Sequence, residues 1–565
     1  MEKPAASANA ASPGLLVGVT PYHWLVVIIA SCGWLFDCMD QRLFTMARES
    51  SLRDLLGSDP SAQTHLESYL GLATGMMMVG WATGGIIFGM LSDKWGRVKT
   101  MVATLLVYSG CTGLCGLASG WVDFVVYRFL VGLGVGGMFG AATTLVAESV
   151  PARFRTVALG SLQALSASGN IVGSYISYHI PPGAEHFAGG LAGWRVLFFV
   201  GILPALLVVP ILGVLKEPEM WKKAKAEAAS GAARKQIGSP AQLFRHARWR
   251  RNTLVGLCLG VSGMAGLWAI GFFAPELVTT ALKETPLRAG DVTNAVQLAE
   301  ALGKPATAPA QHLRQQLRPD TAAALDAWVP GRPVPEALAA SLREDLNRVI
   351  IESRLHEAPG FGEMKLKKGT QKLLGKVQQK ATPGDVRFLN RQLIEQAVPD
   401  TVKELQKYID GVRSKAMMLM DVGSFLGMLA FTAATSWLNR RRAFLGAFAL
   451  CLGVTGYVFY SLKTETDAYW MLPMMGFAQL SVFAGYSIYF PELYPTRLRG
   501  TGVGFCYNTV RYLAAPFPYL LGQLSGVLSF RTAAIAMSSI YLPGAVALIW
   551  APETKGKPLP EDEPA

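Results

Sequence analysis

The segment Glu148-Ser-Val-Pro151-Ala-Arg153-Phe-Arg155, followed by Gly160, recurs as Glu492-Leu-Tyr-Pro495-Thr-Arg497-Leu-Arg499, followed by Gly504. Every matched residue is displaced by the same 344 positions. Each copy closes one long apolar, glycine-rich stretch and opens another. A chain that repeats the same acid–proline–base exit from an apolar run is built of two related halves, and any fold proposed for it must contain the unit twice.

The apolar runs set the class. The chain is 51% hydrophobic and only 16% charged, with mean hydropathy +0.31, whereas soluble domains carry about 25% charged residues. Windows of about 20 apolar residues predict twelve spans, near 23–44, 68–91, 100–119, 122–148, 157–180, 194–215, 253–281, 416–438, 443–462, 467–491, 501–526 and 532–551. The expected fold is therefore an all-α membrane protein of twelve transmembrane helices in two six-helix halves. Paired halves of this kind are the architecture of secondary transporters.

Lys and Arg concentrate in the short loops after even-numbered spans: Lys94, Arg97, Lys99, Arg153, Arg155, Lys222, Lys223, Arg250, Arg251, Arg440, Arg441, Arg442, Arg497 and Arg499. The opposite loops hold little beyond Arg48, Arg53, Lys463 and Arg531. Basic loops stay in the cytoplasm, so both termini are expected there. The net charge of +13 then reflects anchoring against anionic lipid, not nucleic acid. The seven cysteines all fall inside spans, and none has metal-site spacing beside a histidine; apolar packing is their expected role, with no metal and no cofactor. Residues 1–21 show no basic region leading into a cleavable apolar stretch, and there is no Asn-x-Ser/Thr sequon, a pattern that leans toward a bacterial inner membrane.

The expected organisation is a cytoplasmic tail (1–22), a first half (23–215), a cytoplasmic linker (216–252), span 7 (253–282), an extracytoplasmic helical insert (283–415), spans 8–12 (416–551) and a second cytoplasmic tail (552–565). The linker is basic and reads as amphipathic helix along the membrane surface. The insert is rich in Ala, Gln and Leu, with helical periodicity over Val334–Arg354 and Asp385–Val412 and Pro/Gly breaks between. Without it the repeat offset drops to about half of what remains, so the insert interrupts the second of two equal halves.

Gly89-Met-Leu91-Ser-Asp93-Lys94-Trp-Gly96-Arg97-Val-Lys99 resembles the signature loop between spans 2 and 3 of the major facilitator superfamily, with acid, glycine and base all in register. Its second-half counterpart, Ser436-Trp-Leu-Asn439-Arg440-Arg441, lacks the acid. Arg128-Phe-Leu-Val-Gly132-Leu-Gly134 is similar to the family's span 4 motif. Gly193-Trp194-Arg195 and Pro552-Glu553-Thr554-Lys555-Gly556 resemble sugar-porter and metabolite-symporter markers. The resemblance implies the superfamily's transporter fold over everything but the insert and the extreme termini. It also implies that Gly89, Asp93, Gly96, Arg97, Glu148, Arg153, Arg155, Glu492, Arg497 and Arg499 form the conformational signature loops.

Ionisable residues inside spans are costly and ask for a reason. Asp37 and Asp40, three apart in span 1, share one helix face; two carboxylates that close in low dielectric favour binding a proton, as a coupling site must. The alternative is that Asp37 caps a helix break near Gly33 or pairs with Arg42. Sugar:proton symporters pair a span 1 aspartate with a span 4 arginine, and the resemblance places Asp40 and Arg128 there; the alternative is a static ion pair. In span 5, Gln163 and Asn170 lie on one face, where sugar porters carry two glutamines. Ser262, Gly263, Trp268 and Ser487 stand where those porters carry hexose-binding side chains, which argues against a hexose. In span 11, Asn508 and Arg511 share a face. Organic-anion and aromatic-acid carriers of the superfamily carry an arginine there after the same Pro-Glu-Leu-Tyr-Pro-Thr lead-in, and a mid-membrane guanidinium is a natural carboxylate clamp. The alternative partner for Arg511 is Asp421. Trp34, Tyr175, Tyr178, Phe272 and Tyr486 are cavity candidates, although packing or interfacial anchoring explains them equally.

The sequence thus leads to proton-coupled symport of a small organic anion. The partners are a small-molecule substrate, protons and the lipid bilayer, and the substrate-binding residues are Arg511, Asn508, Gln163, Asn170 and Trp268. Sugar or polyol transport is the alternative within the class. A receptor-like protein whose 283–415 insert binds an extracytoplasmic partner is the alternative outside it, because synaptic-vesicle relatives carry a large insert at the same place. No nucleophile–base constellation and no Gly-Lys-Ser/Thr phosphate loop is present, so neither an enzyme nor an ATP-driven pump is expected.

Overall fold

The computed structural model describes residues 16–56, 66–184, 187–229, 237–284, 295–305, 308–330, 332–352, 389–390, 393, 399–514 and 530–561. Among these the protein is helical and has no strand. The first half comprises α1 (Pro21–Leu56), α2 (Leu66–Trp95), α3 (Arg97–Gly116), α4 (Trp121–Ser149) and α5 (Ala152–His179), then α6 (Gly193–Val214), which contains a 3₁₀ turn. Two short helices follow in the linker, α7 (Glu219–Ala229) and α8 (Pro240–Arg245). Next come α9 (Ala247–Ala269) and α10 (Ala274–Glu284), then four helices of the insert, α11 (Ala295–Gly303), α12 (Ala308–Gln315), α13 (Pro319–Ala327) and α14 (Glu336–Glu352). The second half resumes with α15 (Pro399–Trp437), α16 (Arg440–Ser461), α17 (Glu465–Glu492), α18 (Arg499–Asn508), α19 (Val510–Ala514), α20 (Phe530–Met537) and α21 (Tyr541–Ala547).

Eight described helices are long and apolar enough to cross a membrane, which makes this an integral membrane protein. The other expected spans have local reasons for falling outside that set. The fifth, α5, buries Gln163, Ser166 and Ser177 against its neighbours, which lowers its apolarity. The seventh is broken by a 3₁₀ turn at Gly271–Phe273 just before Pro275, where a missing N–H prevents an unbroken helical ladder. The twelfth is broken by a 3₁₀ turn at Ser538–Ile540. Residues 515–529 of the eleventh lie outside the described residues.

The sequence repeat is a packing repeat. A Cβ on Gly80 or Gly84 of α2 would strike the backbone of Phe129 or Leu133 of α4; on Gly423 or Gly427 of α15 it would strike the backbone of Pro473 or Phe477 of α17. The two glycine pairs are 343 residues apart and their targets 344. Without side chains at these positions, two helix backbones meet directly, the small-residue packing that joins helices in a bilayer.

Two antiparallel seams join the halves. Along one, α2 runs against α18 and α19: Asp93 meets Gly500, Gly89 meets Gly504, and Gly85 meets Asn508. Along the other, α5 runs against α15 and its neighbours: Thr156 meets Arg440, Gly160 meets Thr432, and Asn170 meets Asp421.

The insert helices close on a core of Leu298, Leu302, Leu313, Leu342 and Leu346. Asp345, fully buried, accepts from the backbone N–H and Nε of Arg318 at 2.9 and 2.5 Å. α14 lies within the periodic stretch Val334–Arg354, while much of Asp385–Val412 lies outside the described residues. Across 415/416, where span 8 is expected to begin, α15 runs unbroken from Pro399 through 39 residues to Trp437; its part long and apolar enough to cross a membrane is Gly411–Trp437.

Candidate functional site

At one end of the bundle the signature residues form a clamp. Gly96 has φ +125° and a Cβ there would collide with the Glu217 carboxylate, so glycine alone fits. Glu217 in turn accepts from the backbone N–H groups of Arg97, Val98 and Lys99 at 2.7, 3.0 and 3.3 Å, satisfying donors that a helix start leaves open. Arg97, fully buried, grips Glu148 with Nε and Nη2, both at 3.0 Å, and donates to the carbonyls of Ser92 and Thr496 at 2.7 and 2.8 Å. Arg499 reaches the same Glu148 carboxylate at 2.5 Å. Asp93 accepts from Gly500 N, Thr501 N and Thr501 Oγ1 at 2.9, 2.8 and 2.6 Å. One carboxylate of the first half thus caps the start of α18 in the second, and three buried charges surround it. Trp221 of the linker donates to Asp93 O at 2.7 Å, and Gly238 N to Arg497 O at 3.0 Å. Instead of lying free on the surface, the linker is pinned beneath the clamp.

The second half repeats the scaffold but not the acid. Arg440 grips Glu492 with Nε and Nη2 at 3.1 and 2.9 Å and donates to Thr435 O and Thr156 Oγ1. Glu553 plays the part of Glu217, accepting from the N–H groups of Arg440 and Arg441 at 3.1 and 3.3 Å. Arg155 donates to Ala147 O as Arg499 does to Pro491 O. Ser436, at the place of Asp93, donates to Ala433 O within its own helix and caps no helix of the other half among the described residues. Its missing acid has a physical reason. α18 starts at Arg499, leaving the Gly500 and Thr501 N–H groups open, whereas α5 starts at Ala152, so the matching Thr156 lies in its second turn with its N–H inside the helix. Arg153 stands exposed on the clamp face and Arg497 half-buried beside it.

About 18 Å along the helix from Arg499, at 1.5 Å per residue, Arg511 is buried. Its Nη1 donates to Tyr507 O and Asn508 Oδ1 at 2.7 and 2.9 Å. The guanidinium lies 3.8 Å from the Trp81 ring centroid and 4.8 Å from that of Tyr507, a cation–π sandwich. Its Nε finds no hydrogen-bond acceptor among the described residues. Asn508 Nδ2 binds Gly136 O and Gly504 O, so its amide fixes the clamp rather than facing open space. Asp37 is fully buried, and neither carboxylate oxygen has a hydrogen-bond partner among the described residues; the charges acting on it are those of Asp40 and Arg511. Gln163 is buried, and its Oε1 has no hydrogen-bond partner among the described residues.

Asp40 and Arg128 are both fully buried but stand 3.9 Å apart. Asp40 takes the Thr112 hydroxyl at 2.8 Å, while Arg128 directs Nε and Nη2 to Cys115 Sγ at 3.0 and 2.9 Å and lies over the rings of Phe198 and Phe44. The two charges are neighbours with separate partners.

Two alternatives considered from sequence do not occur. Arg42 pairs with Asp421 at 2.6 Å, so it is not the partner of Asp37, and Asp421 is not the partner of Arg511. Asn170 joins Asp421 by a hydrogen bond and so belongs to the seam between halves. The Trp268 side chain lies outside the described residues. Sequence reasoning missed Trp81, Cys115, Thr112 and the pairing of Arg42 with Asp421; the signals available for that pair were two ionisable residues in spans, each assigned to another partner.

Residues 27–314, about half of the chain, match the Major Facilitator Superfamily. The chain belongs to this superfamily. Its members are transporters, not enzymes. The niacin transporter NiaP of Acinetobacter baylyi is 32% identical over 198 residues, 35% of this chain and 41% of that protein. The cis,cis-muconate transport protein of the same organism is 37% identical over 155 residues, 27% of this chain and 36% of that one. The matched part of the chain thus spans less than half the length of these relatives. Among solved structures the proton:xylose symporter XylE superposes with a TM-score of 0.55 at 17% identity, covering 95% of this chain and 98% of that one, a likeness of fold.

Proposed function

We propose that this superfamily member is a secondary active transporter that carries a small organic anion together with protons, by alternating access between its two halves. The observation that carries this reading is Arg511: a buried, permanently charged guanidinium near mid-membrane, held by an aromatic sandwich, with Nε unpartnered and the Asp37 oxygens equally unpartnered. A group so costly to bury gains most from a ligand carboxylate, which a planar fork can bind bidentately. Two relatives whose names give their cargo, niacin and cis,cis-muconate, support the same class of cargo.

In this reading Asp40 is the coupling carboxyl. Its proton-loaded form releases the field on Arg128, which already has Cys115 as an alternative acceptor; its ionised form draws Arg128 back. The clamp around Asp93 and Glu148 holds one face shut while the site fills. The full architecture has twelve spans with both termini in the cytoplasm, a bacterial inner membrane as its place, and the insert outside, between spans 7 and 8.

The test is purified protein in liposomes loaded with a pH dye, challenged with carboxylates and sugars, with Asp40→Asn and Arg511→Ala alongside. Acid influx driven by a carboxylate and lost in both variants supports the proposal. Influx driven by a sugar and retained in Arg511→Ala moves the assignment to sugar or polyol transport, for which Gln163 with its open Oε1 is the supporting residue.

A further inference from the structure

We propose that Arg42 and Asp421 are the latch that closes the face opposite the Asp93 clamp, and that they part in every transport cycle. The inference rests on the alternating-access reading above.

Their depth comes first. α1 begins on the clamp face, where Trp24 packs edge-on against Phe154 at 5.0 Å. Arg42 lies twenty-one residues beyond Pro21, about 32 Å along the helix, and Asp421 sixteen residues before Trp437, about 24 Å from the clamp end. A hydrocarbon core is about 30 Å thick, so both lie past its midplane, on the side of the central charges away from the clamp.

Each half then fixes its member. Gly169 and Gly173 of α5 sit so close to Leu35 and Met39 of α1 that a Cβ would meet their carbonyl oxygens. Arg42 is therefore carried rigidly with α5. Asp421 belongs to α15, the helix across the seam, and is held from the first half twice, by Arg42 at 2.6 Å and by Asn170. The seam that begins at Thr156–Arg440 and passes Gly160–Thr432 ends at this grip.

Exposure separates this pair from the other ion pairs described between the packed helices. Arg97–Glu148, Arg128–Asp40 and Arg499–Glu148 have side chains with no exposure and Arg440–Glu492 keeps 4% and 9%, whereas Arg42 and Asp421 each keep 15%. Charges that are not wholly enclosed can part with less desolvation penalty than fully buried ones. A pair that bridges the halves, is gripped on one side and is the least enclosed of these suits a seam that opens.

The test measures the opposite face directly. Ser119 and Lys463 are exposed, lie in the α3–α4 and α16–α17 loops, and are 344 residues apart, one per half. Non-natural keto residues there accept spin labels in the presence of the native thiols, and pulsed dipolar EPR of the full chain in nanodiscs reads their separation. Asp421→Asn and Arg42→Gln are each expected to raise the population of the longer separation about tenfold without any ligand. Asn170→Ala, the milder change should the charge variants fold poorly, should shift it the same way by about threefold. The exchange Arg42→Asp with Asp421→Arg should restore the shorter separation. Distributions that overlay the wild type in the folded variants would overturn the latch and leave the pair a static strut. Proton-coupled uptake, measured on the same samples, separates the two ideas: responsive distances without uptake sink the transport reading, and intact uptake with unresponsive distances sinks the latch.

Discussion

Asp93, the last acid of α2, caps Thr501 of α18 through both its backbone N–H at 2.8 Å and its hydroxyl at 2.6 Å, across the boundary between the halves. Because hydrogen bonds to a charged group contribute about 1.5–3 kcal/mol each, Asp93→Asn should weaken closure of the clamp face by tens of fold. Thiol labelling of a cysteine placed at Ser92, whose side chain faces Gly500 across the seam and whose hydroxyl has no partner among the described residues, checks this: its rate, above that of the native thiols in the parent chain, should rise when Asp93 is also changed to Asn. Ser436→Asp, which adds the acid to the other half, should produce no mirror-image tightening, since the N–H groups it would need are internal to α5.

The glycine contacts make a prediction about stability that treats the halves as equals. Gly84→Val and Gly427→Val each force a side chain into a helix backbone, Leu133 in one case and Phe477 in the other. Overpacking costs about 1–3 kcal/mol. Both variants should lower the melting temperature in detergent by similar amounts, whereas valine at Gly446 or Gly453, which have open space, should change it little.

Much of this was legible because the repeat constrains local chemistry. Acid, glycine and arginine in register specify a helix start, a tight turn and an ion pair, and the structure places Asp93, Arg97, Glu148 and Arg499 in one buried cluster. What sequence could not give is partner choice between distant helices. From sequence, Arg42 is a candidate partner of Asp37 and Asp421 of Arg511; laying α1 and α15 against α5 joins Arg42 to Asp421 instead. Trp81 is likewise invisible as a partner of Arg511 until α2 and α19 are laid together. Where α15 enters the membrane is not legible from its periodicity either, because one helix continues through Pro399–Trp437.

Glu553 carries a pH dependence outside the membrane. Burial acts to raise its carboxyl, but the N–H groups of Lys555, Arg440, Arg441 and Thr554 outweigh that and hold it below its ordinary 4.5. A depressed carboxyl stabilises the folded arrangement fully above its unfolded value and loses that contribution as the pH falls through the lower folded value. Amide exchange at Arg440 and Arg441 should therefore accelerate once the pH drops below about 4.5, beyond the intrinsic trend. Glu553→Gln should exchange quickly at every pH and show no such step.

Arg511→Lys tests whether the central site recognises shape or only charge. Lysine keeps the positive charge but loses the planar fork and the stacked face that lies 3.8 Å from Trp81. If the carboxylate is held bidentately, the variant should raise KM for the transported anion at least tenfold, a loss of about 1.4 kcal/mol, with a smaller effect on the maximal rate. Trp81→Leu should act through the same guanidinium: it removes one wall of the sandwich, an interaction of about 2 kcal/mol when desolvated, and leaves the charge in place. The two changes should be less than additive in a double variant, because each acts by loosening the same group. Full additivity, measured as KM ratios across the four proteins, would mean that Trp81 contacts the substrate independently of Arg511.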